Sequence, residues 1–269
     1  MQFSDIYYRD PALFGRQSHV DRYVDDIAYT FGVTRSSLHV IAAAKGLIIG
    51  AVSFCRRDGI MVHASSDREG LLIPNLKEIL SADMTKVRWI LVIEKEATFR
   101  SIAASDFWED LSVNGIMITA KGYPDISTRA MLRFLCSPAP QNGFCAPPVY
   151  ALVDCDPDGI GILSTYKHGS KNLAHETSPL RLSQLQWLGL RSEQIMSRHE
   201  LRSNQGLLTL SSRDRNKARK MLEWEVLAED EDLRRELQIM MMLNVKAELQ
   251  LLDAGSEGMS CLLRDNLPV

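Results

Sequence analysis

The spacing of apolar and polar residues predicts alternating strands and helices in the middle of the chain. Three apolar runs have the length of strands buried on both faces: WILVI from Trp89, GIMITA from Gly115 and VYALV from Val149. EATFRSIAAS follows the first run and is typical of a helix, and a second helix is expected from Thr128 to Leu135. This alternation predicts a doubly wound, Rossmann-like parallel sheet flanked by helices.

A different pattern precedes the sheet. Gln17–Phe31 places apolar residues at helical spacing, Gly32 ends that helix, and Thr34 is a suitable N-cap for a second helix reaching about Ala44. LIIGAVSFC and IMVHA then flank an Asp-Gly turn and predict a β-hairpin. Helix, turn, helix and hairpin together predict a winged helix. Its cations either contact phosphates or are ordinary surface residues: Arg35, His39, Lys45, Arg56 and Arg57.

The last hundred residues are expected to form a helical carboxyl-terminal extension. A short strand and turn are predicted over Arg181–Leu190, and a helix ending near Leu227 follows. That helix carries cations that either extend a DNA-facing surface or form a solvated face: Arg213, Arg215, Lys217, Arg219 and Lys220. A second helix is predicted over Leu233–Leu252, with its three consecutive methionines in core or partner contacts.

Composition adds limits to this layout. The 269 residues are 45% hydrophobic and 24% charged, enough for one large or two small globular domains. A net charge of −3 gives no global attraction to nucleic acid, so DNA binding would depend on local clusters. The five cysteines form no CxxC pair, which argues against structural zinc or a disulfide framework. The longest uncharged apolar run, Leu47–Cys55, is far shorter than the roughly 20 residues of a membrane span, so an intracellular protein without a membrane partner is expected.

Acidic residues follow two of the predicted strands. Glu94 comes directly after one strand, and Asp154, Asp156 and Asp158 follow another at alternate positions. Carboxyl ends of parallel strands lie at one edge of a sheet, where ligands bind, and carboxylates suit Mg2+ or Mn2+. An EF-hand is excluded, because Thr165 stands where that loop needs a bidentate glutamate. A solvated surface turn remains the alternative for the Asp-Pro-Asp-Gly stretch.

Several stretches carry a resemblance to a known family. VIEKEA, AKGYPDISTR and LVDCDPDG resemble, in that order, the acidic signature of the Toprim domain. DIYYRDPALFGRQ, VDRYVDDIAYTFGVTRSSLHVIAAAKGLIIG, QWLGLR and LTLSSRDRNKARKML are similar to the meiotic double-strand-break proteins that descend from the A subunit of archaeal DNA topoisomerase VI. The resemblance covers nearly the whole chain. It implies a winged-helix domain over residues 1–82 and a Toprim domain with its helical extension over residues 83–269.

The resemblance also implies roles for individual residues. Tyr8 matches the family's nucleophilic tyrosine, and Tyr7 is expected to pack on the first helix. Glu94, Asp154 and Asp156 match the family's Mg2+ ligands, whereas Asp158 matches the third acid of the motif and is less firmly a ligand.

Further positions match residues near the DNA path. Lys45 corresponds to a lysine expected to touch DNA, and Tyr123 to a loop aromatic. Arg129 is a candidate phosphate contact, with a helix-surface ion pair as the alternative.

The implied activity is that of a type IIB topoisomerase-like transesterase. A tyrosine phenolate attacks a phosphodiester, displaces the 3′-hydroxyl and leaves a 5′-phosphotyrosyl link, and two such breaks cut duplex DNA to initiate meiotic recombination. The family further implies a homodimer with composite active sites, a topoisomerase VI B-like subunit, other meiotic break-formation proteins, and a chromosomal location in the nucleus. No P-loop or other ATP-binding motif is found in this sequence.

Two departures keep other functions open. The family usually has a Lys-Arg pair before Asp-Ile-Tyr-Tyr, where this chain has Phe3-Ser4, and Ala120 replaces a common glycine. One alternative is therefore a catalytically inactive, N-terminally truncated DNA-binding paralogue or isoform. Another is a Toprim nuclease or primase that uses the same metals.

Overall fold

Three helices open the structure. The computed structural model describes residues 3–33, 37–38, 40, 44–65, 68–169, 180–197, 207–254 and 258–268. Helices α1 (Phe3–Arg9), α2 (Pro11–Phe14) and α3 (Gln17–Phe31) lead the chain, and α3 has the predicted bounds. Gly32 ends α3 in the left-handed conformation (φ 62°), which glycine adopts without steric cost. The predicted second helix, its N-cap Thr34 and Arg35 lie largely or wholly outside the described residues, so the winged helix remains a prediction.

A small hydrophobic cluster holds these helices together. Val20 and Val24 on α3 are buried together with Val40. Tyr7 on α1 is among the partly buried side chains that pack against them. Among the described residues, this cluster is separate from the main core.

The main core surrounds a six-stranded sheet. The strands of the chain are β1 (Leu47–Gly50), β2 (Ser53–Arg56), β3 (Met61–His63), β4 (Leu71–Leu72), β5 (Ile79–Asp83), β6 (Trp89–Ile93), β7 (Gly115–Thr119), β8 (Val149–Leu152), β9 (Gln186–Gly189), β10 (Leu207–Thr209) and β11 (Val245–Ala247). The six-stranded sheet has the order β4-β1-β7-β6-β8-β9. Strands β7, β6, β8 and β9 are parallel, and β1 and β4 are antiparallel additions. The predicted parallel sheet is confirmed, with β6 and β7 buried at every position.

The remaining helices flank the sheet or form the carboxyl-terminal extension. They are α4 (Glu96–Ala103), α5 (Asp106–Leu111), α6 (Ile126–Cys136), α7 (Pro157–His168), α8 (Ser192–Ser197), α9 (Ser212–Leu222), α10 (Glu225–Glu229), α11 (Glu231–Leu243) and α12 (Gly258–Asn266). Short 3-10 turns lie at Leu76–Glu78, Pro140–Asn142 and Leu249–Ala254. No helix among the described residues is long and apolar enough to cross a membrane.

The predicted hairpin forms, but one of its expected strands is divided. β2 and β3 pair in antiparallel fashion around the Asp-Gly turn, as predicted, and β5 pairs with the other side of β2. Leu47–Gly50, expected to continue into β2, instead forms β1 and pairs with β7 of the large sheet. Gly50 makes the break: its φ is 125°, and a Cβ there would collide with the Gly115 carbonyl. The division of the chain at residue 82 remains a prediction.

The carboxyl-terminal extension is helical, but two of its predicted helices are too long. The basic helix α9 ends at Leu222, before the expected Leu227. The helix predicted to reach Leu252 ends at Leu243, because Asn244 adopts a left-handed conformation with φ 53°. The chain then returns as β11, paired with β10, and enters the 3-10 turn.

Candidate active site

Two neighbouring strand ends bring the predicted acids together. Ile93 of β6 lies opposite Leu152 of β8 in the parallel ladder, so Glu94 and Asp154 leave the sheet at the same edge. The Glu94 amide donates to the Leu152 carbonyl over 3.0 Å. The Asp154 amide in turn donates to Glu94 Oε2 over 2.9 Å. Glu94 is 8% exposed and Asp154 4%, so these two side chains belong to the buried rim of the sheet.

Asp156 is positioned by the start of helix α7. It is the N-cap residue, and its Oδ1 accepts the Gly159 amide over 2.7 Å, with Pro157 in the first turn. A Cβ on Gly159 would collide with the Asp154 carbonyl oxygen, so this close passage needs glycine. The Asp-x-Asp-Pro-Asp-Gly stretch is therefore a strand-to-helix connection and not a loose surface turn.

A segment remote in sequence completes the surroundings of Asp154. The Leu249 amide donates to Asp154 Oδ1 over 2.8 Å, and Cys155 exchanges backbone hydrogen bonds with Ala247 of β11. The Lys95 ammonium lies 2.8 Å from Asp154 Oδ2. The role of residues 247–250 was missed by sequence reasoning, because this stretch was assigned to a helix. The polar break in the apolar pattern at Asn244 was the available signal.

Burial and mutual repulsion dominate the electrostatics of the acids. Burial, and then the neighbouring Asp154 carboxylate, raise the pKa of Glu94 to about 8. Burial also raises the pKa of Asp156, to which the charges of Asp154 and Asp158 add, against the opposing hydrogen bond from Gly159. Cys155, between the aspartates, is buried as expected for a small packing residue.

These acids fit a divalent cation by chemistry. Among the described residues, no three acid, histidine or cysteine side chains are already arranged as a set of metal ligands. The three carboxylates are nevertheless hard oxygen donors at one rim, where burial and mutual repulsion raise the pKa values of Glu94 and Asp156. No hydrogen bond within the described residues engages Glu94 Oε1 or Asp156 Oδ2. Mg2+ would therefore suit this donor set.

Asp158 has different partners from the other three acids. Its Oδ1 contacts the ammonium of Lys217 on α9. The same ammonium donates to the Tyr123 hydroxyl over 2.8 Å and lies 5.1 Å from the centre of the Tyr123 ring. Burial raises the pKa of Tyr123, although Lys217 opposes this effect. Lys217, which sequence reasoning placed on a generally basic helix, thus joins the motif's third acid to the predicted loop aromatic.

The predicted DNA contacts have different surroundings. Lys45 Nζ donates to the Lys121 carbonyl over 3.5 Å, which places it beside the loop that carries Tyr123. Arg129 is 1% exposed and donates to the Leu180 carbonyl over 3.5 Å. Arg129 is thus buried in α6, and none of the ion pairs among the described residues includes it, so its role stays a prediction. Arg35 lies outside the described residues.

Tyr8 and Tyr7 differ in their surroundings. Tyr8 is 70% exposed on α1, whereas Tyr7 packs on the small valine cluster of α3. The two rings meet edge to face with centroids 5.2 Å apart. No hydrogen bond of the described residues joins Tyr8 to Glu94, Asp154 or Asp156.

Comparisons with known proteins match both the segment that carries Tyr8 and the segment that carries the acids. A family model for the Toprim domain of Spo11 and the topoisomerase 6 A subunit matches residues 89–268, and one described as "Type IIB DNA topoisomerase" matches residues 5–40. The chain is 34% identical to the meiotic recombination protein SPO11 of Homo sapiens, over 92% of this chain and 60% of that protein. It is 36% identical to the meiotic recombination protein rec12 of Schizosaccharomyces pombe, over 91% of this chain and 66% of that protein. It is 32% identical to the DNA topoisomerase 6 A subunit of Arabidopsis thaliana, over 93% of this chain and 56% of that protein. The chain thus spans about three fifths of the length of these relatives.

Proposed function

Because the chain belongs to the family of Spo11 and the topoisomerase 6 A subunit, we propose that it cleaves duplex DNA by tyrosine transesterification and so initiates meiotic recombination. The observation that carries this proposal is the joint position of Glu94 and Asp154 at two adjacent parallel strand ends. A phosphoryl-transfer site needs positive charge held near the reacting phosphate, and buried carboxylates that share one rim can hold it.

Tyr8 is the proposed nucleophile. Its phenolate oxygen attacks phosphorus, the bond to the 3′ oxygen breaks, and the 3′-hydroxyl leaves with a proton while the 5′ end stays on the tyrosine. The exposed position of Tyr8 suits this role, because a DNA strand can reach its hydroxyl. Tyr7 is half-buried and positions α1 on the valine cluster.

Glu94, Asp154 and Asp156 are the proposed ligands of Mg2+. The ion would supply positive charge to the oxygens of the scissile phosphate when bound. Lys45 and Tyr123 are proposed to line the DNA path beside it, with Lys217 holding the Tyr123 ring in place. Asp158 is proposed to orient Lys217 and not to bind the ion.

The proposal extends to the assembly. We propose that residues 1–82 form the tyrosine-bearing DNA-binding domain and residues 83–269 the metal-binding domain, with β1 as their link in the sheet. Tyr8 of one protomer would then act beside the acids of its partner, so a homodimer makes two breaks. A topoisomerase VI B-like subunit, other meiotic break-formation proteins and a chromosomal location in the nucleus belong to the same proposal.

The test is recovery of DNA that is covalently attached to the full chain. Denaturing purification from meiotic cells, followed by 3′-end labelling, should yield protein-linked oligonucleotides attached through their 5′ ends. Tyr8→Phe should abolish the label, whereas the matched variant Tyr7→Phe should retain it. Free 5′-phosphate ends would indicate a nuclease instead, and bound but intact DNA would indicate a non-cleaving DNA-binding protein.

A further inference from the structure

The ammonium of Lys95 already occupies part of the acid site. It lies 2.8 Å from Asp154 Oδ2, 3.2 Å from Glu248 Oε2 and 3.2 Å from Gln250 Oε1. The ammonium donates hydrogen bonds to Glu248 and Gln250 and forms an ion pair with Asp154. Lys95 is therefore fully engaged at the rim, directly beside Glu94 in the chain.

The surroundings explain why the ammonium stays charged there. Burial on its own disfavours the charged form, but the hydrogen bonds and ion pairs with Asp154 and Glu248 outweigh it and raise the pKa of Lys95. Among the described ion pairs, Lys95 is the one cation that contacts Glu94, Asp154 or Asp156. A buried carboxylate without a partner is strongly destabilising, so the ammonium stabilises Asp154 in the metal-free chain.

We propose that Lys95 is an internal counter-ion that competes with the divalent ion for Asp154 and moves fully onto Glu248 and Gln250 when the ion binds. The inference rests on the proposed function, because it assumes that Asp154 is a ligand. It adds a regulatory element to that site, since the affinity for the ion is set by an exchange of cations and not by the three acids alone.

The geometry fits such an exchange. Asp154 Oδ1 is held by the Leu249 amide, so Oδ2 is the oxygen left for an ion, and Oδ2 is the atom that Lys95 contacts. If Lys95 gives up Oδ2, it keeps two of its three acceptors. Glu248 is 49% exposed, so the ammonium would move toward solvent along its flexible stem.

The two remaining acceptors stay in place during the exchange. β11 pairs with β10, and Ala247 is bonded in both directions to Cys155. These contacts fix the backbone that carries Glu248 and Gln250 relative to the aspartates. Lys95 can therefore move between two sets of partners without a change in the fold.

Mn2+ binding measured on the full chain tests the inference. Free Mn2+ is followed by electron paramagnetic resonance, and thermal unfolding of the metal-free chain is measured in parallel. Lys95→Met should bind Mn2+ about tenfold more tightly than the unaltered chain and should unfold at a lower temperature without metal. The matched control is Lys121→Met, which removes a cation from the same rim that pairs with Glu96 and not with the three acids.

A second variant addresses the partners of Lys95. Glu248→Gln removes the carboxylate onto which the ammonium moves, so it should weaken Mn2+ binding several-fold. In a Lys95→Met background the same change should have little effect, because the two residues act as a pair. Equal or weaker Mn2+ binding by Lys95→Met, or an undiminished effect of Glu248→Gln in that background, would overturn the inference.

These outcomes are separable from those of the proposed function. Tighter binding by Lys95→Met in a chain that never links to DNA would support the counter-ion and refute the transesterase. Protein-linked DNA that depends on Tyr8, with identical Mn2+ affinities for Lys95→Met and Lys121→Met, would support the transesterase and refute the counter-ion.

Discussion

Helix α7 has a cluster of charged groups at each end, and the two clusters have opposite electrostatics. At its carboxyl end, Lys167 Nζ lies 2.6 Å and His168 Nε2 3.1 Å from Asp230 Oδ2. Burial alone would raise the pKa of Asp230, but the hydrogen bonds from His168 and Lys167 outweigh it and hold the pKa well below its usual range. At the amino end, burial and neighbouring acids raise the pKa values of Glu94 and Asp156.

The difference separates a group that stabilises the fold from one that does not. Around Asp230 donors outnumber carboxylates, and Asp230 also caps α11 through the Leu233 amide. Around Glu94, burial and the neighbouring Asp154 carboxylate outweigh the one backbone hydrogen bond, so the charged form of Glu94 is disfavoured in the folded metal-free chain. Clusters of the second kind are expected at functional sites, where affinity for a ligand is retained at a cost in stability.

Removal of Asp230 should have the largest effect on stability. Asp230→Ala deletes a carboxylate whose side chain is 8% exposed, leaves Lys167 without its partner and removes the cap of α11. We expect a loss of about 3 kcal/mol in the free energy of unfolding, measured by urea denaturation. Asp232→Ala is the control, since Asp232 lies in the same helical turn but its side chain is 71% exposed. Its ion pair with Arg191 is long, at 3.7 Å, and therefore weak. Equal losses for the two variants would show that Asp230 is not a buried anchor.

Lowering the pH should remove the stabilisation that Asp230 provides. The pKa of Asp230 is lower in the folded chain than in the unfolded chain, so its stabilisation is fully present above the ordinary aspartate value of about 4. As the pH falls from there through the folded-state pKa, Asp230 becomes protonated and the contribution is lost. The difference in unfolding free energy between the unaltered chain and Asp230→Ala should therefore be constant near neutral pH and shrink below about pH 4. A difference that grows on acidification would contradict this sign.

Glu94 should behave in the opposite way. Because its pKa is raised to about 8, Glu94 must take up a proton near neutral pH when it is buried beside Asp154. Glu94→Gln removes this cost, and its amide oxygen can still accept the Asp154 N–H. The metal-free chain should gain on the order of 1 kcal/mol of stability and lose Mn2+ binding. Glu96→Gln provides the contrast, because hydrogen bonds from Arg100 and Lys121 lower the pKa of Glu96 and its charge is favourable. If Glu96→Gln were more stable and Glu94→Gln less stable than the unaltered chain, the contrast between the two glutamates would be wrong.

The two clusters were not equally visible in the sequence. Glu94, Asp154 and Asp156 could be placed at one rim, because one buried strand ends just before Glu94, another ends just before the two aspartates, and parallel strands align their ends. The Asp230 cluster joins residues about 60 positions apart, and no local pattern records such a contact. The same holds for Lys95 with Glu248, and for the Leu249 amide on Asp154.

Errors in the secondary structure have a related cause. Apolar residues resume after the polar break at Asn244, so periodicity alone extends α11, whereas the left-handed conformation of Asn244 ends it. Likewise LIIGAVSFC is one apolar run, but Gly50 lets the chain leave the large sheet after β1 and form the hairpin. In each case one residue with a positive φ turns the chain into a strand pairing with a distant segment, and the apolar pattern does not record that pairing.

Substitution of Asp158 has the smallest expected effect, and it tests directly whether this residue behaves like Asp230 or like Glu94. It belongs to the acidic motif, but its carboxylate is paired with Lys217 and its side chain is 37% exposed, so it resembles the Asp230 cluster more than Glu94. Asp158→Asn should change Mn2+ affinity by less than about threefold, because an outer, already neutralised carboxylate adds little charge at the ion. The corresponding Asp156→Asn should abolish measurable binding. If both variants lose binding equally, Asp158 is a ligand and Lys217, like Lys95, is an ammonium that the ion displaces.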